Sequence, residues 1–563
     1  MINDDVLLGL KKPARYTGGE WNSSNKDFEA AGITFALGFP DLYEVGMSNL
    51  GIRIIYSLLN ALPDVVCERF FSPDLDCEAL IRERGYPLAT LESRRQLKEF
   101  DIVGLSLAYE LCYTNVLALL DLGGIPFDAA QRDHTFPLII GGGPCSLNPE
   151  PLCSFFDLFV IGEAEEVVLE LMDVYRRRKA EYRAGRLSKQ DLLSACAQLK
   201  GVYVPSLATQ QTVQKRFIAS MDAAHVPLDW LVPFIQIVHD RITVEVSRGC
   251  PNRCRFCQAR NQYYPYRNRS LDTVITAAQE TYRRTGYDEI SLSGLSVSDY
   301  PGLKILLERL IDLFREKGVS VSLPSVKSKL MLGELSEVIA RIKKTGLTFA
   351  PEAGTEQMRQ RLAKDFDLEE FFVVLQQAYQ AGYQHVKLYF MIGLPGETQA
   401  DLDGIVELVH KVSDLRRSVC GRAAEVHISV NALIPKPHTA FQWMRMEDPE
   451  TIRVKQEYLK DKLRARKFKL SFHHRQMSFL EGVFSRGDRA LGAVVQAAYK
   501  KGCRFDGWQE HFVFERWMEA FSECGLQPQD YLRQRDLQEP LPWDFLDTGV
   551  PKELLLSEAR KVL

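Results

Sequence analysis

Short apolar runs alternate with longer stretches of helical periodicity twice along this chain, between residues 31 and 175 and again from about 236. In the first block ITFALGF (33–39), DVVCERFF (64–71), DIVGLSL (101–107), PLIIGGG (137–143) and DLFVIGE (157–163) read as strands, and MSNLGIRIIYSLLNAL (47–62) reads as the first helix between them. Strands alternating with helices predict a parallel sheet covered on both faces, a doubly wound, Rossmann-like α/β domain. Ligands of such sheets sit at the carboxyl ends of the strands. Gly38, Ser106, Gly141, Gly142, Gly143 and Gly162 fall there, and glycines let a ligand approach the backbone closely.

From about 236 the rhythm restarts with six strands: ITVEVS (242–247), EISLSGLS (289–296), VSVSLPSV (319–326), LTFAPE (347–352), HVKLYFMIG (385–393) and EVHISVNAL (425–433). Each of the first five is followed by a helical pattern such as LKILLERLIDLFREKG. Repeated βα units of this kind predict a full or partial barrel whose active site lies at the strands' carboxyl ends. Ser293, Glu352 and Glu397 stand at such ends. The resulting division is an arm (1–30), a doubly wound domain (31–175), a linker (176–235), a barrel (236–445) and a mainly helical C-terminal domain (446–563). In the linker Arg176, Arg177 and Arg178 read as a solvated helix face rather than a phosphate site.

A length of 563 residues is too great for one core and fits three domains. A hydrophobic fraction of 46% with 26% charged residues marks a soluble globular chain, and a net charge of −4 gives no strong pull toward nucleic acid or membrane. The N-terminus lacks an apolar signal-like core and no run of 18 apolar residues occurs, so a cytoplasmic location without membrane contact is expected. Nine of the 12 cysteines are scattered, as buried free thiols in a reducing compartment would be.

The other three stand in CPNRCRFC: Cys250, Cys254 and Cys257. Their C-x3-C-x2-C spacing suits a loop wrapping one corner of a [4Fe–4S] cube, and three ligands on four irons leave one iron open to a small molecule. A structural zinc knuckle is the alternative, but it needs a fourth Cys or His nearby, and none follows before His385. EVSRG (245–249) places the loop just past a strand end, and Phe256 is positioned to shield a cluster from water.

This run resembles the cluster loop of the radical S-adenosylmethionine superfamily. PDLYEVGMSNLG, SLSGLSVSDY, FAPEAGTEQMR, KLYFMIGLPGET, PKPHTAFQW, SFLEGVFSRGDR and FDGW extend the resemblance over about residues 12–530 to the bacterial B12-binding-like radical S-adenosylmethionine proteins. The resemblance implies a [4Fe–4S] cluster at the three cysteines, whose open iron chelates S-adenosylmethionine, and an electron that cleaves this cofactor to a 5′-deoxyadenosyl radical. It implies S-adenosylmethionine contacts at Ser293 and Gly294, in a turn lacking the family's usual acid, at Glu352 for the ribose, and at Gly393, Gly396 and Glu397 around the adenosine. Arg359 and Lys387 stand where a carboxylate could be neutralised, against the plainer reading of paired surface charges.

The N-terminal block is similar to the cobalamin-binding domain that precedes many of these barrels: Ser106-Leu107 after the third strand, Gly141–Gly143 after the fourth, and Gly162-Glu163 after the fifth. The cobalt-ligating histidine of one family form has no counterpart in PDLYEVGMSNLG (40–51). Two readings therefore stay open: cobalamin held without a protein imidazole, or a domain that binds none. With cobalamin, methylation of an unactivated carbon is the economical outcome. Methylthiolation of RNA or ribosomal protein is the alternative, but it calls for a second cysteine triplet, and Cys67, Cys77, Cys112, Cys145 and Cys153 are too widely spaced. A non-catalytic cluster or corrinoid sensor is the third. The resemblance also implies a reductase or flavodoxin-type electron donor and a companion protein. YYPYRNR (263–269) is the one nucleic-acid-like stretch, against packing at the barrel mouth. His473, His474, Glu481, Arg486, Asp488 and Asp506 either line a substrate mouth or cap a helical bundle.

Overall fold

The computed structural model describes residues 7–207, 212–322 and 347–563. In the first domain β1 (Ile33–Phe39), β2 (Val65–Phe71), β3 (Ile102–Ser106), β4 (Leu138–Gly142) and β5 (Leu158–Val160) pair in parallel in the order β2-β1-β3-β4-β5. The short β6 (Val202–Tyr203) closes the sheet antiparallel to β5. This doubly wound order leaves a topological switch point between β1 and β3. All seven residues of β1 and of β2 are buried, which is why they read as continuous apolar runs.

Helices α1 (Leu50–Asn60) and α2 (Glu165–Arg183) cover one face of the sheet. Asn49 caps α1 by accepting the Ile52 amide at 3.1 Å. Arg176–Arg178 belong to the last turns of α2, where Arg176 pairs with Asp64 at 2.7 Å and Arg177 is exposed, so this stretch is a helix surface.

The other face is covered by α3 (Tyr113–Leu122) together with three helices from the far end of the chain, Arg475–Ser485, Leu491–Lys500 and Phe514–Glu523. Val103, Leu105, Ile139 and Phe159 of the sheet share one core with Val483, Phe484, Val494, Val495 and Trp517. The C-terminal helices thus complete the first domain's hydrophobic core.

The second domain contributes β7 (Ile242–Glu245), β8 (Glu289–Ser293), β9 (Ser320–Ser322), β10 (Leu347–Glu352), β11 (His385–Ile392), β12 (Glu425–Ala432) and β13 (Phe468–Phe472). They form two parallel runs, β9-β8-β7 and β10-β11-β12-β13. The expected strand over 319–326 is described only to Ser322. All six expected strands are present, and β13 is a seventh, where a helical and polar stretch was expected. Its residues alternate, with Phe468 buried and Lys469 and Ser471 exposed, and the helix Pro449–Lys462 joins it to β12 as a further βα unit. The barrel's outer face is apolar: Val386, Leu388, Phe390, Ile392, Val426, Ile428 and Val430 pack beneath the helices. No helix among the described residues is long and apolar enough to cross a membrane.

Candidate active site between the two α/β domains

The cysteine loop leaves the end of β7 through Gly249, whose φ is +82° and where a Cβ would stand 2.6 Å from the Tyr263 carbonyl oxygen, so only glycine fits. Cys250, Cys254 and Cys257 are half-buried. The Asn252 amide donates to Cys250 Sγ at 3.2 Å and to Asp299 at 3.0 Å. Arg255 fastens the loop: its backbone amide donates to the Leu362 carbonyl (3.0 Å), its guanidinium to the carbonyls of Gln360 (3.1 Å) and Arg361 (2.6 Å), and it pairs with Glu558 (2.7 Å). Behind the loop the buried Lys215 ammonium donates to the carbonyls of Asn261, Gln262 and Tyr264 at 2.8–2.9 Å.

Burial pushes the Cys254 thiol up to about 11 and the Cys257 thiol upward, with Lys364 opposing both. Thiols so placed ionise readily only with cationic metal to receive them. Phe256 packs partly buried against the apolar group that includes Met358, Leu362, Leu394 and Trp443.

At the end of β10 the ladder shifts register and Glu352 adopts φ +68°, a left-handed conformation that costs energy for a side chain of this size. Its carboxylate lies 3.3 Å from Lys364 Nζ; burial pushes its pKa up while Lys364 opposes. Both groups act electrostatically on Cys254 and Cys257, so they stand beside the cysteine loop. Arg359 is spent on the carbonyls of Ala353 and Gly354 (3.1 and 3.2 Å) and shapes the turn after Glu352.

After β11, Gly393 and Gly396 take φ +77° and +73°. The Gly393 amide donates to Glu397 (2.9 Å), which also pairs with Lys455 (2.7 Å); its side chain is only 2% exposed, so Glu397 closes the turn from within. Lys387 lies exposed on β11 with its ammonium over the Tyr389 ring. Arg361 donates to the Pro395 carbonyl at 3.2 Å, tying the turn to the segment that holds the cysteine loop.

A cavity of about 470 Å³ joins the two domains. Its walls include Ser106, Gly141, Gly142, Gly143, Gly162 and Glu163 from the first sheet's carboxyl edge. Facing them are Glu245, Ser247, Arg248 and Gly249 at the mouth of the cysteine loop, and Ser293 and Gly294 after β8. Gly38 and Leu107 are not part of the wall. A Cβ on Gly38 would stand 2.2 Å from the Phe70 ring, and Leu107 lies in the core beneath the sheet. Gly141 likewise turns toward Phe159 in that core, whereas a Cβ on Gly142 would meet nothing nearer than Val160 at 3.8 Å.

An ion-pair network that sequence reasoning missed edges this cavity. Arg248 lies 3.1 Å from Glu163, 2.8 Å from Glu165 and 2.8 Å from Glu245, and Arg267 holds Glu163 bidentately at 2.6 and 2.9 Å. Burial works against the Glu163 carboxylate, yet Arg267 and Arg248 hold its pKa below the usual range. The stretch 263–269 is accordingly turned inward: Arg267 on Glu163, Arg269 on the carbonyls of Met221 and Ala224, and Tyr266 on Asp299.

Comparison with known proteins agrees with this geometry. The family model described as "Radical SAM superfamily" matches residues 244–409, and the one described as "Radical SAM proteins, N-terminal" matches residues 51–205. The chain carries a radical SAM domain and, ahead of it, the N-terminal domain of radical SAM proteins.

It is therefore an enzyme of the class that uses a [4Fe–4S] cluster and S-adenosylmethionine. An uncharacterized protein of Methanocaldococcus jannaschii is 26% identical over 493 residues, which cover 87% of this chain and 97% of that one. An uncharacterized methyltransferase of Pyrococcus horikoshii is 22% identical over 56% of this chain and 66% of its own. A ribosomal protein uS12 methylthiotransferase of Rippkaea orientalis is 27% identical over 30% of this chain and 39% of its own. Among solved structures, the radical S-adenosylmethionine methyltransferase TsrM of Kitasatospora setae, with cobalamin and a [4Fe–4S] cluster, superposes with a TM-score of 0.49 at 13% identity, covering 70% of this chain and 74% of that one. The cobalamin-dependent radical enzyme OxsB superposes with a TM-score of 0.49 at 12% identity, covering 94% and 78%.

The polar C-terminal candidates of the radical SAM chain are committed to structure. Glu481 pairs with Lys436 (2.8 Å), Arg486 donates to the carbonyls of Met444, Tyr531 and Arg533, and Asp506 accepts from Thr114 (2.6 Å) and Trp517 (2.9 Å). Asp488 accepts from the Ala490 amide (3.0 Å), His473 bonds Ser478 (2.6 Å), and the His474 ring packs edge-on against Phe512.

Proposed function

We propose that this radical SAM enzyme is a cobalamin-dependent methyltransferase acting on an unactivated carbon. Cys250, Cys254 and Cys257 would ligate the cluster. The observation that carries the reading is the cavity of about 470 Å³, which opens from the glycine-lined carboxyl edge of the first sheet onto Gly249, the residue next to Cys250. A corrinoid seated on that edge would lie against the cluster loop without an intervening layer of protein.

The donor set fits. Gly142 leaves room for a ligand to approach the backbone, and the inner walls formed by Phe35, Leu37, Ile140 and Val168 are apolar. Among the described residues no histidine lines the cavity, so cobalt would take no imidazole from them there. Ser293 and Gly294 would offer backbone and hydroxyl oxygens to the methionyl amine, Glu352 would accept from the ribose hydroxyls, and the turn at Gly393 and Gly396 would border the adenine. When bound, the reduced cluster and S-adenosylmethionine supply the radical that removes a hydrogen atom, and the corrinoid supplies the methyl group. Arg248 ties the start of the cysteine loop to the sheet edge, Arg255 ties its middle to residues 360–362, and Lys215 braces the stretch behind it. Cluster reduction requires a one-electron donor of the flavodoxin or reductase type.

Two other readings have less support. Methylthiolation needs a second cluster, and Cys67, Cys77, Cys112, Cys145 and Cys153 are all buried and spread over the first domain. In the stretch 263–269, Arg267 and Arg269 are held by Glu163 and by the Met221 carbonyl, which leaves fewer cations for a nucleic-acid backbone. A sensor would bind both cofactors without turnover.

Anaerobic purification from cobalamin-supplemented cells, with iron, zinc and corrinoid analysis, tests cofactor content; an assay for 5′-deoxyadenosine with dithionite tests catalysis. A full cluster with corrinoid and product formation is expected. A full cluster without 5′-deoxyadenosine would favour the sensor, and zinc at the three cysteines would overturn the proposal.

A further inference from the structure

A second cavity, of about 260 Å³, adjoins the first and shares Ser293 and Gly294 with it. Its other walls are Ser48, Leu50 and Arg53 from α1 and the residues before it, Trp230, His239 and Arg241 from the segment leading into the barrel, and Thr243, Ser291 and Leu292 of β7 and β8. It therefore lies where the first domain's helix meets the barrel's first two strands.

Its charges are almost all of one sign. Arg53 is 4% exposed and makes no ion pair among the described residues. Its Nε donates to the Met47 carbonyl at 2.9 Å and its guanidinium stacks over Trp230 at 4.2 Å, but both terminal nitrogens lack a hydrogen-bond partner. Arg241 pairs with Glu289 through one terminal nitrogen at 3.3 Å, while its buried Nε is unpartnered. His239 donates its backbone amide to Ser48 Oγ at 3.0 Å. Burial, and then Arg241 and Arg53, lower the pKa of the His239 ring, so both guanidinium groups act on the same spot. The countercharges are Glu289, already shared with Arg241, and Asp240, which acts on Arg53 from beyond ion-pair distance, while the Tyr287 hydroxyl comes near enough to Arg53 to favour its charged form.

A guanidinium removed from water with its terminal donors unmet is costly, and proteins keep such groups where a ligand completes them. The free edge of Arg53 is the fork that binds two oxygens of one anion. We propose that Arg53, with Arg241 and His239, forms an anion subsite that seats a carboxylate or phosphate of a ligand whose body occupies the adjoining larger cavity. The inference deepens the functional reading above by adding a chemical requirement: one of the molecules meeting beside the cluster carries an anionic group on the side of Ser293. The sources of that chemistry are the carboxylate of S-adenosylmethionine and an acidic group on the methyl acceptor. Trp230 positions Arg53 by covering one face of its plane.

The test uses the anaerobically reconstituted full-length protein and two variants, Arg53→Met, which keeps an unbranched side chain under Trp230 without charge, and Arg241→Gln at the cavity's rim. Inorganic phosphate and pyrophosphate, titrated at constant ionic strength against chloride, are the probes, with thermal midpoint as readout. Wild type is expected to be protected, and each variant to need about tenfold more anion or to lose protection. Without anion, Arg53→Met is expected to melt higher than wild type, because an uncompensated charge has been removed.

S-adenosylmethionine affinity, measured in parallel, separates the sources: a loss of about tenfold or more in Arg53→Met assigns the anion to that cofactor. Unchanged cofactor affinity with lost phosphate protection assigns it to the acceptor. Retention of both phosphate protection and cofactor affinity by the two variants would overturn the subsite and leave Arg53 a stacking residue. Should Arg53→Met fail to fold, Arg241→Gln decides alone by the same criteria. Phosphate protection needs no turnover, so failure of the methyltransferase reading and failure of this subsite are seen in different measurements.

Discussion

Arg248, two residues ahead of the first cluster-loop cysteine, lies 3.1 Å from Glu163 at the carboxyl edge of the first sheet, with side chains only 7% and 4% exposed. The pair joins the loop that would carry the redox chemistry to the domain that would carry the second cofactor. Charges this well desolvated contribute geometry more dependably than net stability, because desolvation offsets much of their attraction.

Removing one member is a different matter from replacing the pair. Arg248→Met would leave Glu163, Glu165 and Glu245 facing one another, with Arg267 still holding Glu163, Arg269 3.8 Å from Glu245 and Glu165 stranded. We expect a loss of about 3–5 kcal/mol, the usual cost of stranding a buried partner. Denaturant unfolding of the purified apoprotein measures it, and the double variant Arg248→Met/Glu163→Gln should recover part of the loss. An unchanged unfolding midpoint in the single variant would show that the network is solvated and does not latch the domains.

The glycine run after β4 separates packing from binding within two consecutive residues. Gly141→Ala places a methyl group 2.7 Å from the Phe159 ring and 3.1 Å from Phe156, and overpacking of this kind costs about 1–3 kcal/mol. Gly142 turns the other way, with 3.8 Å of clearance to Val160, a wall residue of the larger cavity. Gly142→Leu is therefore expected to change stability by less than about 1 kcal/mol while abolishing corrinoid retention. The check is thermal unfolding beside corrinoid content after anaerobic purification. Full corrinoid content in Gly142→Leu would remove the cofactor from this cavity.

Most of this architecture was legible because its strands are buried on both faces or strictly alternate. Most strands of the first sheet read as apolar runs, and β11 and β12 alternate apolar outer positions with polar inner ones. The strand FKLSF at 468–472 escaped because it sits among RARK and HHR, and five residues with Lys and Ser on the open side give a weak period. The union of the C-terminal helices with the first domain was not legible at all. An amphipathic helix announces that it has an apolar face, not which sheet will cover it. Among site residues, the three cysteines and the glycine turns carry their own local signal. Arg53, Lys215 and Arg248 do not, since a lone cation in sequence gives no sign that the fold will bury it.

Glu352 combines a strained backbone with a buried carboxylate beside the cysteine loop, so its two properties can be separated by substitution. Glu352→Gly releases the left-handed conformation, worth about 1–2 kcal/mol, and removes the acid. Glu352→Gln keeps the strain and removes only the charge. Both should weaken S-adenosylmethionine binding, by about tenfold if one charge-assisted hydrogen bond is lost, while the glycine variant unfolds at higher temperature than the glutamine variant. Equilibrium dialysis against the cofactor decides: affinity equal to wild type in both variants would release Glu352 from any cofactor role.

Asp506 supplies a pH dependence whose sign follows from its surroundings. Burial pushes its carboxyl up to about 6, against hydrogen bonds from Thr114 and Trp517 that favour the ionised form. With a folded pKa near 6 and an ordinary value near 3.8 when unfolded, the folded state holds the extra proton between these limits. This group's contribution to stability therefore declines as pH rises from about 4 to about 6, then stays level, with a total of about 3 kcal/mol as an upper bound. Asp506→Asn keeps a carbonyl for the Trp517 indole and an amide for the Thr114 hydroxyl but cannot ionise. We expect it to be more stable than wild type at pH 8 and nearly equal to it near pH 4, when both are compared by denaturant unfolding. A stability difference that is constant across that range would mean that Asp506 does not titrate between folded and unfolded states, and its burial by the C-terminal helices would then have to be looser than the core around Trp517 indicates.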